Sequence, residues 1–371
     1  MSRFAPQLDD EHPKNPFPGL KALERRLGRT LPHQLGSNEG LDMPHNALAA
    51  VLGERAAHLA RAYGDAEAFE LRTRLAGRLD VALETLVVDA GADSLMALTL
   101  RACCAPGDTV VTSAGTYPTF AYFARGHGCA LEEVPYGLEG GALMPDIDAL
   151  CARANASNAR LVYLANPDNP TGALIEVERI EELARRLPEQ CWLLLDEAYF
   201  DFCAERIESR PLPGVIRLRT FSKAHGLAGL RIGYALAEPK TVRALNAVRI
   251  HYAVSSLALD AATTLLDHDE EVQTHIQDVI ARRERLSANL RAHGVSVLPS
   301  VTNFVTIVTD DAETATDGQH ALLEAGVIVH RPPHPALGHL LRISAVEDAL
   351  MPGRLDPLLD VLAPGRGATE G

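Results

Sequence analysis

Long uninterrupted apolar runs are missing from this 371-residue chain, and with them any segment able to span a bilayer. The opening residues, MSRFAPQLDDEHPKNPFPG, also lack the apolar stretch of a signal peptide, so the expected setting is the cytoplasm. Basic charge is scarce: 35 Lys and Arg stand against 49 Asp and Glu, a net charge of −14. That balance argues against nucleic acid as a partner, because phosphate backbones select basic faces. It does not limit a small substrate, since a site can be locally basic on an acidic protein. Cysteine is confined to Cys103, Cys104, Cys129, Cys151, Cys191 and Cys203, with neither a CxxC pair nor a metal-ligand spacing. Such thiols read as reduced and buried. His330, His334 and His339 share a Pro-rich loop, but their spacing matches no metal-binding helix or strand face, so no metal is expected. No internal repeat and no low-complexity block interrupts the chain.

What remains is an ordinary globular composition, 47% hydrophobic and 23% charged, long enough for one large domain and a smaller one. The first thirty or so residues, rich in Pro and charge, read as an arm. From about Leu41, helical stretches such as Ala47–Tyr63 and Ala92–Cys103 alternate with short apolar runs: TLVVDAG, DTVVTS, ARLVYLANP, CWLLLDEAY, GVIRLRTF and LRIGYALA. Continuous apolar runs bounded by turn residues predict strands buried on both faces of a mostly parallel sheet. Beyond Ala247 the order changes. Helices over Ser255–Leu266 and His268–Ala292, the latter closed by Gly294, lead to strand-like runs VSVLPSVTNFVTIV, GVIVHR and HLLRISAV and a last helix around Asp348–Leu362. That pattern predicts a smaller α+β domain.

The polar clusters fall at strand ends, where chemistry gathers in such sheets. DAGADSLMAL sets Gly91, Ala92 and Asp93 at a strand-to-helix turn, which reads as an anion site or as an ordinary helix cap. YLANPDNPTG holds Asn169 in a Pro-stiffened turn, suited to a flat ligand or simply to turning the chain. LLLDEAYFDF puts Asp196 after a strongly apolar strand, where a carboxylate needs a cation or donor. TFSKAHGLAGLRIGY offers Ser222 and Arg231 for a phosphate, with Lys223 between strand and turn as a nucleophile toward an aldehyde. GLAGLRIG is no GxGxxG fingerprint, so nicotinamide binding has little support.

In this order the motifs resemble the fold-type-I pyridoxal-phosphate aminotransferases, and more closely the histidinol-phosphate aminotransferase branch. LGSNE, YGDAEAFELRTRLA, GADS, APGDTVVTSAGTYPTF, NPDNPTG, DEAYFDF, RTFSKAHGLAGLRIGYALA, VSSLA, TNFV and LRIS carry the likeness across almost the whole chain. The resemblance implies an α/β fold, with a large domain on a mostly parallel seven-stranded sheet and a smaller α+β domain. Residues 1–40 would be an arm belonging with the small domain, 41–250 the cofactor domain, and 251–371 the small domain with a disordered tail, PGRGATEG. It implies pyridoxal 5′-phosphate as cofactor, bonded to Lys223, which then shuttles the α-proton. Asp196 would pair with the pyridinium nitrogen, Tyr199 and Asn169 with the ring's 3′-oxygen, and Tyr117 would stack on the ring. Ser222, Arg231 and the backbone of Ala92 and Asp93 would hold the phosphate. Tyr63 would reach the partner subunit's phosphate in an active homodimer. Asn38, Asn303, Arg342 and His330 match substrate-side positions, with Arg342 forking onto a carboxylate or phosphate.

The implied reaction is ping-pong transfer of an amino group from an amino acid or histidinol phosphate to a 2-oxo acid. The same cradle also serves elimination, cyclisation or oxidation of an amino acid, which is the alternative. A ligand-binding half of a transcriptional regulator is disfavoured, because the short arm supplies no winged helix and Lys223, Asp196 and Tyr199 would then have no reason to occur together. Four substrate-side positions depart from the branch: Phe17 in place of Tyr, Gly40 in place of Asn, His330 in place of Arg with Arg331 one step on, and an added Glu347. Together they would weaken a phosphate pocket and point to an amino acid without phosphate, extending to one with a basic side chain.

Overall fold

The fold, seen in a computed structural model, is described for residues 19–362 except 54, 141 and 204–208, together with residues 7, 15 and 16. Phe17 and the tail PGRGATEG lie outside the described residues. In chain order the strands begin with β1 (His33–Gln34), β2 (Leu86–Asp89), β3 (Thr109–Ser113) and β4 (Ala130–Val134), followed by a hairpin of β5 (Tyr136–Glu139) and β6 (Ala142–Pro145). Then come β7 (Leu161–Ala165), β8 (Trp192–Asp196), β9 (Val215–Thr220) and β10 (Gly233–Leu236). Seven of these form the main sheet, in the order β2-β10-β9-β8-β7-β3-β4. Only β10 runs against its neighbours, β2 and β9. The mostly parallel α/β sheet is therefore as expected.

Burial on both faces explains the apolar runs. Along β7, Leu161, Tyr163 and Ala165 enter one core with Leu95, Phe120 and Leu194, while Val162 and Leu164 enter the opposite core with Leu150, Ile180 and Leu193. The period of two in a strand puts alternate residues on alternate faces, and here both faces are covered by helices. The parallel strands bring the carboxyl ends of β3, β7, β8 and β9 to one edge, facing the start of β10.

A second sheet contains β11 (Ser296–Val297), β12 (Phe304–Val308) and β14 (Leu340–Ser344). The run GVIVHR forms only β13 (Val327–Ile328), which pairs in parallel with β1 near the start of the described chain. Helix Asp269–Ala292, 24 residues long, joins the two regions. Its first half packs Val272, Ile276 and Val279 beside β2 and β10, and its second half packs Leu286 and Leu290 beside β12 and β14. Ser255 caps helix Ser256–Asp267 by accepting from the Ala258 amide at 3.1 Å.

Two helical expectations need correction. Ala47–Tyr63 is not one helix but Asn46–Leu52 and Arg55–Leu59, because Gly53 at φ 17° and ψ −124° breaks the turn between them. The last helix is likewise split, into a short turn Glu347–Leu350 and a helix Asp356–Leu362, with Pro352 and Gly353 (φ +75°) between. No helix among the described residues is long and apolar enough to cross a membrane.

Candidate active site

Loops from five strand ends surround an inner cavity of about 200 Å³ that opens into an outer one of about 770 Å³. The two share Lys223, Tyr199, Asn169, Tyr117, Asp93 and Arg231 in their walls. The structure thus brings together residues far apart in the chain: Ser37, which also lines both, lies 186 positions from Lys223.

At the end of β2, Asp89 accepts from its neighbour Ala90 N at 2.7 Å and from Ser94 Oγ at 2.6 Å. Its carboxylate is spent on that turn, and Ala90 caps the helix Gly91–Cys103 without a side-chain bond. Ala92 and Asp93, lining the cavity, sit in the first turn of that helix, where amides have no intrahelical acceptor. Asp93 ties two neighbours to this turn, accepting from Tyr117 Oη at 3.1 Å and from Arg231 Nη2 at 3.3 Å. Gly91 stands at φ +85°, and a Cβ there would lie 3.1 Å from Arg231 Nη2. The cradle therefore favours glycine for its conformation, while a Cβ would press only on the flexible end of Arg231. Opposite it, Thr220 Oγ1 donates to Ser222 Oγ at 2.9 Å and accepts from Ser222 N at 3.1 Å. Amides, hydroxyls and a guanidinium converge here, a donor set that matches a phosphate.

Two adjacent carboxylates at the end of β8 show what the inner cavity lacks. Glu197 is buried, but it receives Arg217 at 2.7 Å and Arg219 at 2.8 Å. Burial alone would raise its pKa, and the two arginines outweigh that and hold it below the ordinary value. Asp196 points to the other face, accepting from Tyr163 Oη at 2.8 Å and Ala198 N at 3.0 Å, with no ion-pair partner among the described residues. Burial pushes its pKa up from 3.8 to about 6. A buried carboxylate that lines a cavity and lacks a cation fits a protonated ring nitrogen. Sequence reasoning missed Tyr163; its signal was a lone hydroxyl inside the apolar run LVYLANP.

Lys223 follows β9 and reaches the cavity, its Nζ donating to Ser37 O at 3.2 Å and lying 5.7 Å from the Tyr199 ring centre. Gly40 packs directly behind this turn, where a Cβ would meet Lys223 O at 2.5 Å and Gly226 Cα at 3.0 Å. Both contacts are backbone, so the position has no room for an asparagine in this chain. An aldehyde-bearing ring with a phosphate arm, such as pyridoxal phosphate, fits this combination of lysine, uncompensated carboxylate and anion cradle.

On the outer side, Arg342 of β14 is buried, donating from Nη1 to Asn169 Oδ1 and from Nη2 to Gly36 O, each at 2.6 Å. Its Nε has no hydrogen-bond partner among the described residues, and burial lowers its pKa, a cost that an anionic ligand would offset. With Asn169 Oδ1 occupied, the amide nitrogen is the group Asn169 offers to a ligand. His330 lies beside Arg342 through paired backbone bonds of 3.1 and 2.7 Å. Burial and then the Arg342 charge hold its imidazole well below the ordinary pKa, so it is neutral. Leu20, Leu23, Tyr122, Phe123 and Ile328 complete that wall.

Other predicted residues fall elsewhere. Asn38 and Asn303 are buried one layer behind Tyr199 and line neither cavity. Asn38 Nδ2 donates to Tyr199 Oη, and Asn303 Nδ2 donates to Asn38 O. Glu347 is exposed, is not among the lining residues, and is fixed by its backbone amide to Asp42. Arg331 is turned toward Gln319 and the Gly338 carbonyl. Tyr63 is 83% exposed, outside both cavities, and stacked on Tyr252 with ring centres 4.8 Å apart.

The family model described as aminotransferase class I and II matches residues 33–355. An aromatic amino acid aminotransferase of Corynebacterium efficiens is 36% identical over 84% of this chain and 89% of its own length. Histidinol-phosphate aminotransferase 2 of Carboxydothermus hydrogenoformans is 31% identical over 96% and 99%. Among solved structures, histidinol-phosphate aminotransferase from Sinorhizobium meliloti in complex with pyridoxal-5′-phosphate superposes with a TM-score of 0.88, at 35% identity over 98% of this chain and 97% of that one.

Proposed function

This chain belongs to the class I and II aminotransferases, and we propose that within that family it transfers the amino group of an aromatic amino acid to a 2-oxo acid. The reaction is pyridoxal-phosphate-dependent transamination by a ping-pong route, and elimination, cyclisation or oxidation is not favoured. Bound cofactor supplies an aldehyde for the amino group and a ring that draws off the electron pair of the broken Cα–H bond. In our reading Lys223 Nζ anchors the cofactor and carries the proton to and from Cα. Asp196 holds the ring nitrogen in its protonated form. Asn169 and Tyr199 hydrogen-bond the ring oxygen, Tyr117 covers the ring face, and Ser222, Arg231 and the amides of Ala92 and Asp93 grip the phosphate. Arg342 takes the donor's carboxylate.

One observation carries the choice of donor. The outer cavity has an apolar wall with a neutral His330, and its cations are Lys223, Arg231 and Arg342, each engaged in the roles above. No further cation is left there for a substrate phosphate among the described lining residues, and Glu347, which would meet a basic side chain, does not line the cavity. The relatives carry both aromatic and histidinol-phosphate names, and the apolar wall is what favours the aromatic reading. Mixing holoenzyme with L-phenylalanine, histidinol phosphate or L-arginine, without acceptor, tests it. Bleaching of the visible band by phenylalanine at roughly ten times the second-order rate of the others, or more, is the expected result. Faster bleaching by histidinol phosphate sinks the aromatic reading and leaves the transaminase.

We further propose a homodimer built on the exposed Tyr63–Tyr252 face, and a cytoplasmic location, which six free cysteines support. The division into an arm (1–40), a large domain (41–250) and a small domain (251–371) is also our reading, supported by separate cores bridged by helix Asp269–Ala292.

A further inference from the structure

A tyrosine hydroxyl accepts up to two hydrogen bonds but donates only one. The residues behind Tyr199 decide where that one proton goes. Asn38 Nδ2 donates to Tyr199 Oη at 3.1 Å, so the phenol oxygen is the acceptor on that side. The Asn38 amide is held this way round by its Oδ1, which accepts from Ser344 Oγ at 2.8 Å. Turned over, the amide would present Nδ2 to Ser344 Oγ, which already accepts from the Asn38 backbone amide at 3.0 Å, and the serine proton would lose the one acceptor it has among the described residues. Asn303 Nδ2, donating to Asn38 O at 3.1 Å, holds Asn38 at φ 54°, a left-handed conformation that asparagine tolerates better than most residues. All four residues are buried.

We propose that Ser344 and Asn38 are positioning residues that aim the Tyr199 proton out of the protein and into the cavity, at the 3′-oxygen of the pyridoxal ring. The inference rests on the cofactor reading given above. Ser344 and Arg342 are two apart on β14, so the strand's period of two puts them on one face, while Ile343 between them enters the core on the other. A single strand thus carries the group that takes the donor's carboxylate and the group that orients the hydroxyl on the cofactor. A hydroxyl whose proton is already directed at the ring oxygen stabilises charge there without reorienting.

The test is a double-mutant cycle on holoenzyme, reading the rate of cofactor release and the position of the visible absorption band. Ser344→Ala frees the Asn38 amide to turn, and release should quicken about 3- to 10-fold with a shifted band. Asn38→Asp presents only acceptors, so Tyr199 would donate backwards, and the change should be larger. In a Tyr199→Phe background, which has no hydroxyl to aim, either substitution should alter release by less than about twofold. Effects of Ser344→Ala that persist undiminished in that background, or a Ser344→Ala protein with wild-type band and release, overturn the proposal. The cofactor reading fails separately: a wild-type protein that takes up pyridoxal phosphate without a visible band, and without borohydride fixing it to Lys223, overturns both.

Discussion

Asp196 is destabilised as a carboxylate where it stands, which is what the proposed pairing with a protonated ring nitrogen would relieve. Its pKa rises from 3.8 to about 6 because burial disfavours the carboxylate, an effect on the order of 3 kcal/mol. The native cofactor-free protein holds this proton more tightly than the unfolded chain does. Its stability therefore falls as pH rises from about 4 toward 6 and gains nothing back above that. Asp168 (about 6) and Asp201 (about 7) are buried carboxyls with similar behaviour, so the whole-protein trend is shared among them. The Asp196→Asn variant isolates one contribution. Without cofactor it should be more stable than wild type by about 1–3 kcal/mol at pH 7.5 and nearly equal at pH 4, by urea unfolding at the two pH values. The same variant should release cofactor faster, since it cannot hold a protonated ring nitrogen. Equal stabilisation at both pH values would mean that the charge at Asp196 is not what costs stability.

β10 shows how a strand that only borders the cavity sets the turn proposed to hold the phosphate. Gly233 opens that strand, and a Cβ there would lie 2.7 Å from Arg219 O and 3.2 Å from the Gly91 backbone. None of these atoms can swing aside as a flexible side chain would. Gly233→Ala should therefore cost about 1–3 kcal/mol in stability by overpacking. It should also push the Gly91 turn off its position, quickening cofactor release by about tenfold or more, because the amides of the cradle are misplaced. Thermal unfolding and release kinetics on one sample check both, and unchanged release would detach β10 from the cradle. Such contacts mark the limit of what the sequence discloses. Six of the seven central strands were legible because both faces are buried, which leaves continuous apolar runs such as CWLLLDEAY; the edge strand β4, ALEEV, is only partly buried and left no such run. Lys223, Asp196, Tyr199 and Asn169 were legible because each closes one of those runs. The split of Ala47–Tyr63 was not, since one glycine within an otherwise helical pattern does not announce a break. Nor was the seating of Ser344 against Asn38, 306 residues away in the chain, or of Gly40 against the lysine turn. Those depend on how two separately packed cores meet, and no local pattern encodes that.

For the whole molecule, the exposed aromatic face is the feature a single chain leaves unexplained. Tyr63 (83% exposed), Ile250 (62%) and Tyr252 (52%) form an apolar surface that a monomer would leave to water. Arg249 secures the loop, donating to Val88 O at 2.8 Å and also to Ala66 O, so the segment bearing Tyr63 is tied to the strand that ends in the phosphate turn. If Tyr63 completes the partner's cofactor site, each site needs Lys223 from one subunit and Tyr63 from the other. Complementation then distinguishes a shared site from a merely adjacent one. Lys223→Ala should abolish transamination, and Tyr63→Ala should weaken cofactor retention and lower activity about tenfold or more, a loss typical of a phosphate contact removed. Mixed after mild dissociation, the two variants form hybrids in which one site has both residues and the other has neither. Random pairing makes half the dimers hybrid with one native site each, so recovery should approach about one quarter of wild-type activity. Activity that stays at the level of the Tyr63→Ala homodimer diluted with inactive subunits would place Tyr63 outside the partner's site. Recovery toward one quarter requires that the aromatic face be the dimer interface, and that the catalytic unit be two chains rather than one.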